Sequence, residues 1–298
     1  MDILGKIKTE TNIEILREEA LKHLTLLYNA MTNASYKAEV FEFILGNMDL
    51  TVNFEYFENP KVSIIIPVKD EFIMTSALLN SIKKNTQGIE YEIIIADDNS
   101  EDEIQYIEQL YKNVRRIVND TGHEGFIWNI NNAISQAKGD YIFAMNNDML
   151  TQEGYLTELL KVMENDETIG IAGSKTLNID GTVKECGIKM LKNGKVLFLG
   201  EDEPSEYEDN KQYIECDYCS GCSILFKKSV WEKAGKFDTK LEPAYYEVSD
   251  FAFNLKYNFG LKSVCVPKSK LFHFQGISYS NTVISSIMPF SFFKLSFV

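Results

Sequence analysis

The chain has 298 residues, with 44 acidic against 30 basic side chains and a net charge of −14. Such a surface repels a phosphate backbone, which excludes nucleic acid as a main partner. The mix of 45% hydrophobic residues with 6 Pro and 17 Gly excludes collagen-like and mostly disordered chains. The start, MDILGKIKTE, has no apolar run after its basic residues, and no stretch of 18 apolar residues follows anywhere. The expectation is no secretory signal and no spanning helix. The cysteines, Cys186, Cys216, Cys219, Cys222 and Cys265, are odd in number, which predicts reduced thiols and a cytoplasmic location.

Residues 11–33 place Ile13, Ile15, Leu16, Leu21, Leu24 and Leu27 at helical spacing, and a second helix is expected over 36–46. Residues 1–59 therefore read as a helical appendage. After Asn59-Pro60 the texture changes. The run VSIIIPV (62–68) is short, continuous and β-branched, as a buried parallel strand requires. A helix over 75–85 follows, then a strand at 91–96, a helix at 101–112 and a strand at 115–118. Next come a helix at 126–138, a strand at 140–145, a helix at 154–165 and a strand at 169–173. This alternation predicts an α/β fold with a mostly parallel sheet covered by helices.

The second half differs. Segment 181–200 reads as a hairpin turning at Asn193-Gly194. A strand is expected at 218–226, helices at 228–235 and 249–259, and a strand at 262–266. The domain is expected to end near 280. The tail, 281–298, is apolar but broken by Pro289 and Lys294. It reads as a packed segment, with peripheral membrane contact as the other reading.

Ligands of open α/β sheets bind beyond the carboxyl ends of the strands. Polar clusters fall at such ends: Pro67 to Glu71, Asp97 to Ser100, and Asn146 to Asp148. A fourth, Glu247 to Asp250, opens a helix. A single such cluster is an ordinary turn or helix cap; several in one sheet point to a site. The turn after the first strand, PVKDEF, has no glycine, and no P-loop is present, so side chains or a metal must hold any phosphate. Asp148 can offer oxygen to Mg²⁺ or Mn²⁺.

The segments KVSIIIPVKDE, YEIIIADDNSED, GDYIFAMNND, LEPAYYEVSDFAF and FHFQGISYS together resemble the family 2 glycosyltransferases with the GT-A fold, of the bacterial surface-polysaccharide type. Weaker marks stand between them in the family's order: GFIWNINNAI, GIAGSKTLNIDGTVKECG and SGCSILFKKSVWEKAGKFD. The resemblance covers 60–280. It implies a domain that binds a UDP- or dTDP-sugar and passes the sugar, with inversion, to a hydroxyl of a glycan or glycolipid.

The resemblance also implies roles. Pro67, Val68, Asp70, Glu71, Asn131, Asn146 and Asn147 would border the nucleotide. Asp98 would accept the N3–H of a uracil or thymine, which cytosine lacks. Asn146-Asn147-Asp148 stands at the family's D-x-D position, with amides where an acid is usual. Asp148 and His273 would hold Mn²⁺ or Mg²⁺. The family's Y-E-D-x-D-L reads Tyr246-Glu247-Val248-Ser249-Asp250-Phe251 here. Valine cannot accept a proton, so the base falls to Glu247, with Asp250 orienting it or serving in its place. Gln275 replaces a common glutamate. The competing reading is a catalytically impaired domain that binds nucleotide-sugar or glycan, or a scaffold. The spacing Cys216-x-x-Cys219-x-x-Cys222 resembles a metal-ligand pattern, but buried small residues are the preferred reading.

Overall fold

The computed structural model describes residues 52–120, 125–178 and 180–274. The helices expected over 11–33 and 36–46 and the tail 281–298 lie outside them, as does Gln275.

The first half alternates strand and helix: β1 (Val62–Val68), α1 (Phe72–Asn85), β2 (Tyr91–Asp97), a 3-10 turn at Glu103–Tyr106 running into α2 (Ile107–Leu110), β3 (Val114–Val118), α3 (Phe126–Ser135) and β4 (Tyr141–Met145). Then come β5 (Met149–Thr151), α4 (Tyr155–Asn165), β6 (Ile169–Leu177), β7 (Val183–Glu185), β8 (Ile188–Met190), β9 (Val196–Phe198), β10 (Ile214–Cys216), β11 (Ser223–Lys227), α5 (Lys228–Lys233), α6 (Glu247–Phe259) and β12 (Lys262–His273). A ten-stranded sheet runs β10-β12-β6-β11-β4-β1-β2-β3, with β5 on β12 and β7 on β6.

The β1, β2 and β4 sequences are continuous apolar runs because both faces of the sheet are covered. Side chains alternate between faces along each strand. Ile64 and Ile66 pack with α1 and α4, while Ile65 faces α3 on the opposite side. All three isoleucines are fully buried, each worth about 1.5–3 kcal/mol of transfer free energy. The chain joins this core before β1: Phe54 is buried and meets Tyr91 edge to face, with ring centroids 6.3 Å apart.

The expected parallel order holds for β4-β1-β2-β3 and for β6 beside β12. The remainder corrects it to a mixed sheet. β11 runs antiparallel to both β4 and β6, and β10 and β5 run antiparallel to β12. These strands arrive through turns instead of helical crossovers, which permits antiparallel pairing. The helix expected over 101–112 breaks because Asp102 is claimed twice: its carboxylate accepts from Ile104 N at 3.0 Å and from Phe72 N at 2.8 Å. The strand expected from 218 begins only at Ser223, after a turn. β12 continues past Val266 to His273, with a register shift between Val266 and Lys270.

Candidate functional site

The carboxyl ends of β1, β2 and β4 lie side by side and are tied together by their own loops. Asp98 N donates to Val68 O at 2.9 Å, and Asp70 N donates to Ser100 Oγ at 2.8 Å. Asp70 Oδ1 accepts from Glu101 N at 2.7 Å. The Lys69 ammonium donates to the carbonyls of Asp98 and Asn99 at 2.9 and 2.6 Å. Asp70 and Glu71 are consecutive left-handed residues (φ 59° and 66°), a costly geometry for non-glycine residues and common where a site is being shaped. The turn aims Glu71 toward Asp102, Asp70 and Asp148. Burial, then the charges of those three, push its carboxyl up to about 7.

The two adjacent aspartates divide their work. Asp97 is fully buried and takes Arg116 Nε at 2.7 Å and Ser100 N at 2.8 Å. Asp98 is half-buried. Its Oδ1 accepts from Asn119 Nδ2 at 2.6 Å and its Oδ2 from Gly125 N, at the start of α3, at 2.9 Å. A carboxylate has lone pairs left for one more donor.

Two of the expected nucleotide residues have their side chains engaged elsewhere in the fold. The Val68 side chain is buried in the core, so only its backbone reaches this end. Asn131 is held elsewhere: its Nδ2 donates to Phe237 O at 2.8 Å and its Oδ1 accepts from Phe237 N at 3.2 Å. Both ends of its amide thus clamp one backbone residue. Pro67, Asp70, Glu71, Asp98, Asn146 and Asn147 remain at the strand ends. Asn147 Nδ2 donates to Thr75 Oγ1 at 3.2 Å, and Thr75 Oγ1 donates to Glu71 O at 3.1 Å, which joins α1 to the Asn-Asn-Asp segment.

Asp148 and His273 are brought together by β5 and β12, paired Met149 to His273. Asp148 Oδ1 lies 3.5 Å from His273 Nε2 and is buried without a hydrogen bond. On the far side of the ring, Lys184 Nζ stands 3.1 Å from Nδ1. An orphaned buried carboxylate oxygen facing an imidazole nitrogen suits a divalent cation. Among the described residues, no group of three or more His, Cys, Asp or Glu could hold a metal ion. A cation at this point would have Asp148 and His273 as its ligands among the described residues.

The turn Ser220-Gly221-Cys222 connects the remaining acids to this pair. The Ser220 N–H donates to Glu185, the Cys222 thiol bonds to His273, and Cys222 O accepts from Asn146 N at 3.0 Å. Gly221 packs against the start of α6. A Cβ there would lie 3.0 Å from Val248 Cγ2 and 3.6 Å from Glu247 Oε1. Glu247 is 5% exposed, and its Oε2 is buried without a partner. Burial raises its pKa, against the nearby backbone N–H groups of 245–247. Asp250 projects instead into a cavity of about 550 Å³ shared with Trp128, Asp238 and Asn254. Burial and Asp238 raise it.

Glu185 was not anticipated from sequence. It is fully desolvated, and burial pushes its carboxyl up to about 7 against the pull of Lys184 and His273. Its signal was a Lys-Glu pair within an otherwise small, apolar β7–β8 junction. The cysteine spacing yields no metal centre: Cys186 meets Cys265 (Sγ–Sγ 3.2 Å) and Cys216 meets Cys219 (3.5 Å) as buried free thiols. Lys175, also buried, pins the acidic loop by donating to Ser205 O, Tyr207 O and Asp209 Oδ1 at 2.6, 2.8 and 2.6 Å.

The sequence pattern described as Glycosyl transferase family 2 matches residues 63–234, more than half the chain. The chain belongs to glycosyl transferase family 2. It is 29% identical over 231 residues to the O-antigen biosynthesis protein RfbC of Myxococcus xanthus, covering 74% of this chain and 18% of that protein. It is 27% identical over 177 residues to the GalNAc(5)-diNAcBac-PP-undecaprenol beta-1,3-glucosyltransferase of Campylobacter jejuni, covering 58% and 53%. The chain therefore spans about half or less of these relatives. Among solved structures it resembles GalNAc-T7 with UDP, GalNAc and Mn²⁺, at a TM-score of 0.58 and 17% identity, covering 73% of this chain and 44% of that one. The Pyrobaculum calidifontis mannosyltransferase PcManGT, in complex with GDP-Man and Mn²⁺, aligns at a TM-score of 0.51 and 14% identity, covering 86% and 68%. These likenesses show the GT-A fold. No helix among the described residues is long and apolar enough to cross a membrane.

Proposed function

We propose that this family 2 domain is an inverting glycosyltransferase of surface-polysaccharide assembly. It takes its sugar from a UDP- or dTDP-linked donor and gives it to a hydroxyl of a glycan or glycolipid. The observation that carries this reading is the buried, unpartnered Asp148 Oδ1 facing His273 among the strand-end polar groups. The relatives above are an O-antigen biosynthesis protein and an undecaprenol-linked-glycan glucosyltransferase, which supports the acceptor class.

In this reading the pyrimidine lies against Pro67 and donates N3–H to Asp98, while Asp70, Glu71, Asn146 and Asn147 border the ribose and phosphates. Asp148 and His273 would hold Mn²⁺ or Mg²⁺, which when bound would supply positive charge to the departing diphosphate. Glu247, desolvated at the N-terminus of α6, takes the proton from the acceptor hydroxyl as that oxygen attacks the anomeric carbon. The sugar–phosphate bond breaks on the opposite side, which inverts the centre. Val248, at the position that is acidic in the family, packs on Gly221 and takes no part in proton transfer. In this reading the enzyme works in the cytoplasm.

The test is nucleotide release from UDP-, dTDP- and GDP-sugars with a mixed glycan acceptor, with Mn²⁺ and with chelator. Release that requires the metal and favours a pyrimidine donor supports the proposal. Donor binding without transfer to any acceptor would move the domain to the nucleotide-sugar-binding reading.

A further inference from the structure

The charged lysines of this sheet mostly meet oxygen. Lys175 has three oxygen acceptors, Lys270 has Asp209 at 2.6 Å, and Lys262 has Asp166 at 2.9 Å. Lys184 differs. Its side chain lies at the Asp148–His273 end of the sheet, and its Nζ stands 3.1 Å from Nδ1 of His273. Among the described residues it forms no ion pair. An ammonium has three donors, and a partly desolvated one is costly unless they are used. The charge of Asp148 already reaches this ammonium, and the N–H donors it does not use on His273 can meet an anion that enters this end of the sheet.

The position is built by the sheet. β7 pairs antiparallel with β6, through Glu185 to Thr176 and Val183 to Leu177, and β6 runs parallel to β12 with Leu177 opposite Phe272. Lys184 is thereby set beside His273 on a rigid frame. The amides Asn146 and Asn147 also leave this end with fewer negative charges than an acid-rich motif would.

We propose that Lys184 is a diphosphate-binding residue, whose ammonium leaves His273 to bind the donor's phosphate oxygens and to neutralise the nucleoside diphosphate as the sugar departs. The bond that breaks is the anomeric C–O bond, the electron pair stays on the diphosphate oxygen, and Lys184 meets that charge without giving up a proton. This rests on the donor-site reading above.

The experiment is calorimetric titration of the full chain and of Lys184→Met with UDP, dTDP and GDP, and with the corresponding nucleosides. The series is repeated with Mn²⁺ and with chelator. For whichever diphosphate binds the parent, Lys184→Met should bind about 10- to 100-fold more weakly, with the nucleoside unchanged. Lys184→Arg, which keeps the charge, should recover most of the loss and guards against a folding defect in the methionine variant. Diphosphate affinity in Lys184→Met within about twofold of the parent overturns the proposal while leaving the donor site standing. Equal losses for nucleoside and diphosphate overturn it too, as a general distortion. A parent that binds none of the three diphosphates overturns the donor-site reading itself.

Discussion

Asp148 Oδ1 and His273 Nε2, far apart in sequence, meet at 3.5 Å where β5 pairs with β12. On the other side of the ring, Lys184 Nζ stands 3.1 Å from Nδ1. A cation between the two groups would be met by Asp148 Oδ1 and by Nε2 of a neutral His273 ring. His273→Ala should therefore weaken the Mn²⁺-dependent part of nucleotide binding by about 100-fold, the usual scale for a lost ligand or its support. Titration of Mn²⁺ at fixed nucleotide measures this. An unchanged midpoint would remove His273 from the metal site.

Asp98 should read the base. Its carboxylate accepts the N3–H of uracil, whereas an asparagine can also donate to the N3 of cytosine. Asp98→Asn is expected to lose about tenfold in UDP affinity and to narrow the gap to CDP. Competition of UDP and CDP against a fluorescent nucleotide checks it. Parallel weakening of both nucleotides would point to collapse of the Asn119–Asp98–Gly125 bonds.

Glu247→Gln should lower the transfer rate on the order of 10²- to 10⁴-fold with nucleotide affinity kept. Because burial raises the Glu247 pKa, the acid limb of the pH–rate profile should lie above the ordinary carboxylate range. Asp250→Asn, one turn along and facing another cavity, should change the rate far less. The reverse order of effects would move the base to Asp250. Gly221→Ala offers a geometric control: its Cβ meets Val248 Cγ2 at 3.0 Å, so the turn or α6 must shift. We expect a fall in kcat larger than the change in nucleotide affinity.

Stability should fall as pH rises. Glu185 has a folded pKa of about 7 against 4.5 when unexposed to burial, and Glu71 and Asp102 are raised to about 7 and 6. A raised carboxyl pKa means the native state holds the proton more tightly. Its contribution is full below the unfolded value and is lost as pH rises through the folded one. For fully buried Glu185 this is about 3 kcal/mol. Melting temperatures of the donor-free protein should drop between about pH 5 and pH 8, and Glu185→Gln should flatten the curve. A parent curve that rises over that range would contradict the assignment.

Much of this was legible in the sequence because it rests on local pattern. Continuous runs such as VSIIIPV and DYIFAM must be covered on both faces, and polar residues directly after them mark the strand ends. Asp98 and Asp148 stand out for that reason, whereas Glu247 and His273 are named from the family's motif order. What depends on partners distant in sequence was not legible. Asn131 stands in a motif, yet Phe237, over a hundred residues on, occupies both ends of its amide. Val68 sits in the strand-end cluster, but strand alternation turns its side chain into the core. The antiparallel entry of β11 follows from a turn around Gly221, where periodicity suggested a strand. Lys184 and Glu185 stand inside a weaker family mark, but their roles acquire meaning only when β7 docks on β6. Asn131→Ala should accordingly cost about 1–2 kcal/mol of stability in denaturant titration, with nucleotide affinity unchanged.

The most direct measurement is calorimetric titration of UDP into the parent and Asp148→Asn, each with Mn²⁺ and with chelator. The account predicts binding to the parent that strengthens with Mn²⁺, and an Asp148→Asn protein that folds normally but no longer responds to the metal. Binding to neither protein by UDP, dTDP or GDP, or a metal response that survives in Asp148→Asn, would contradict it.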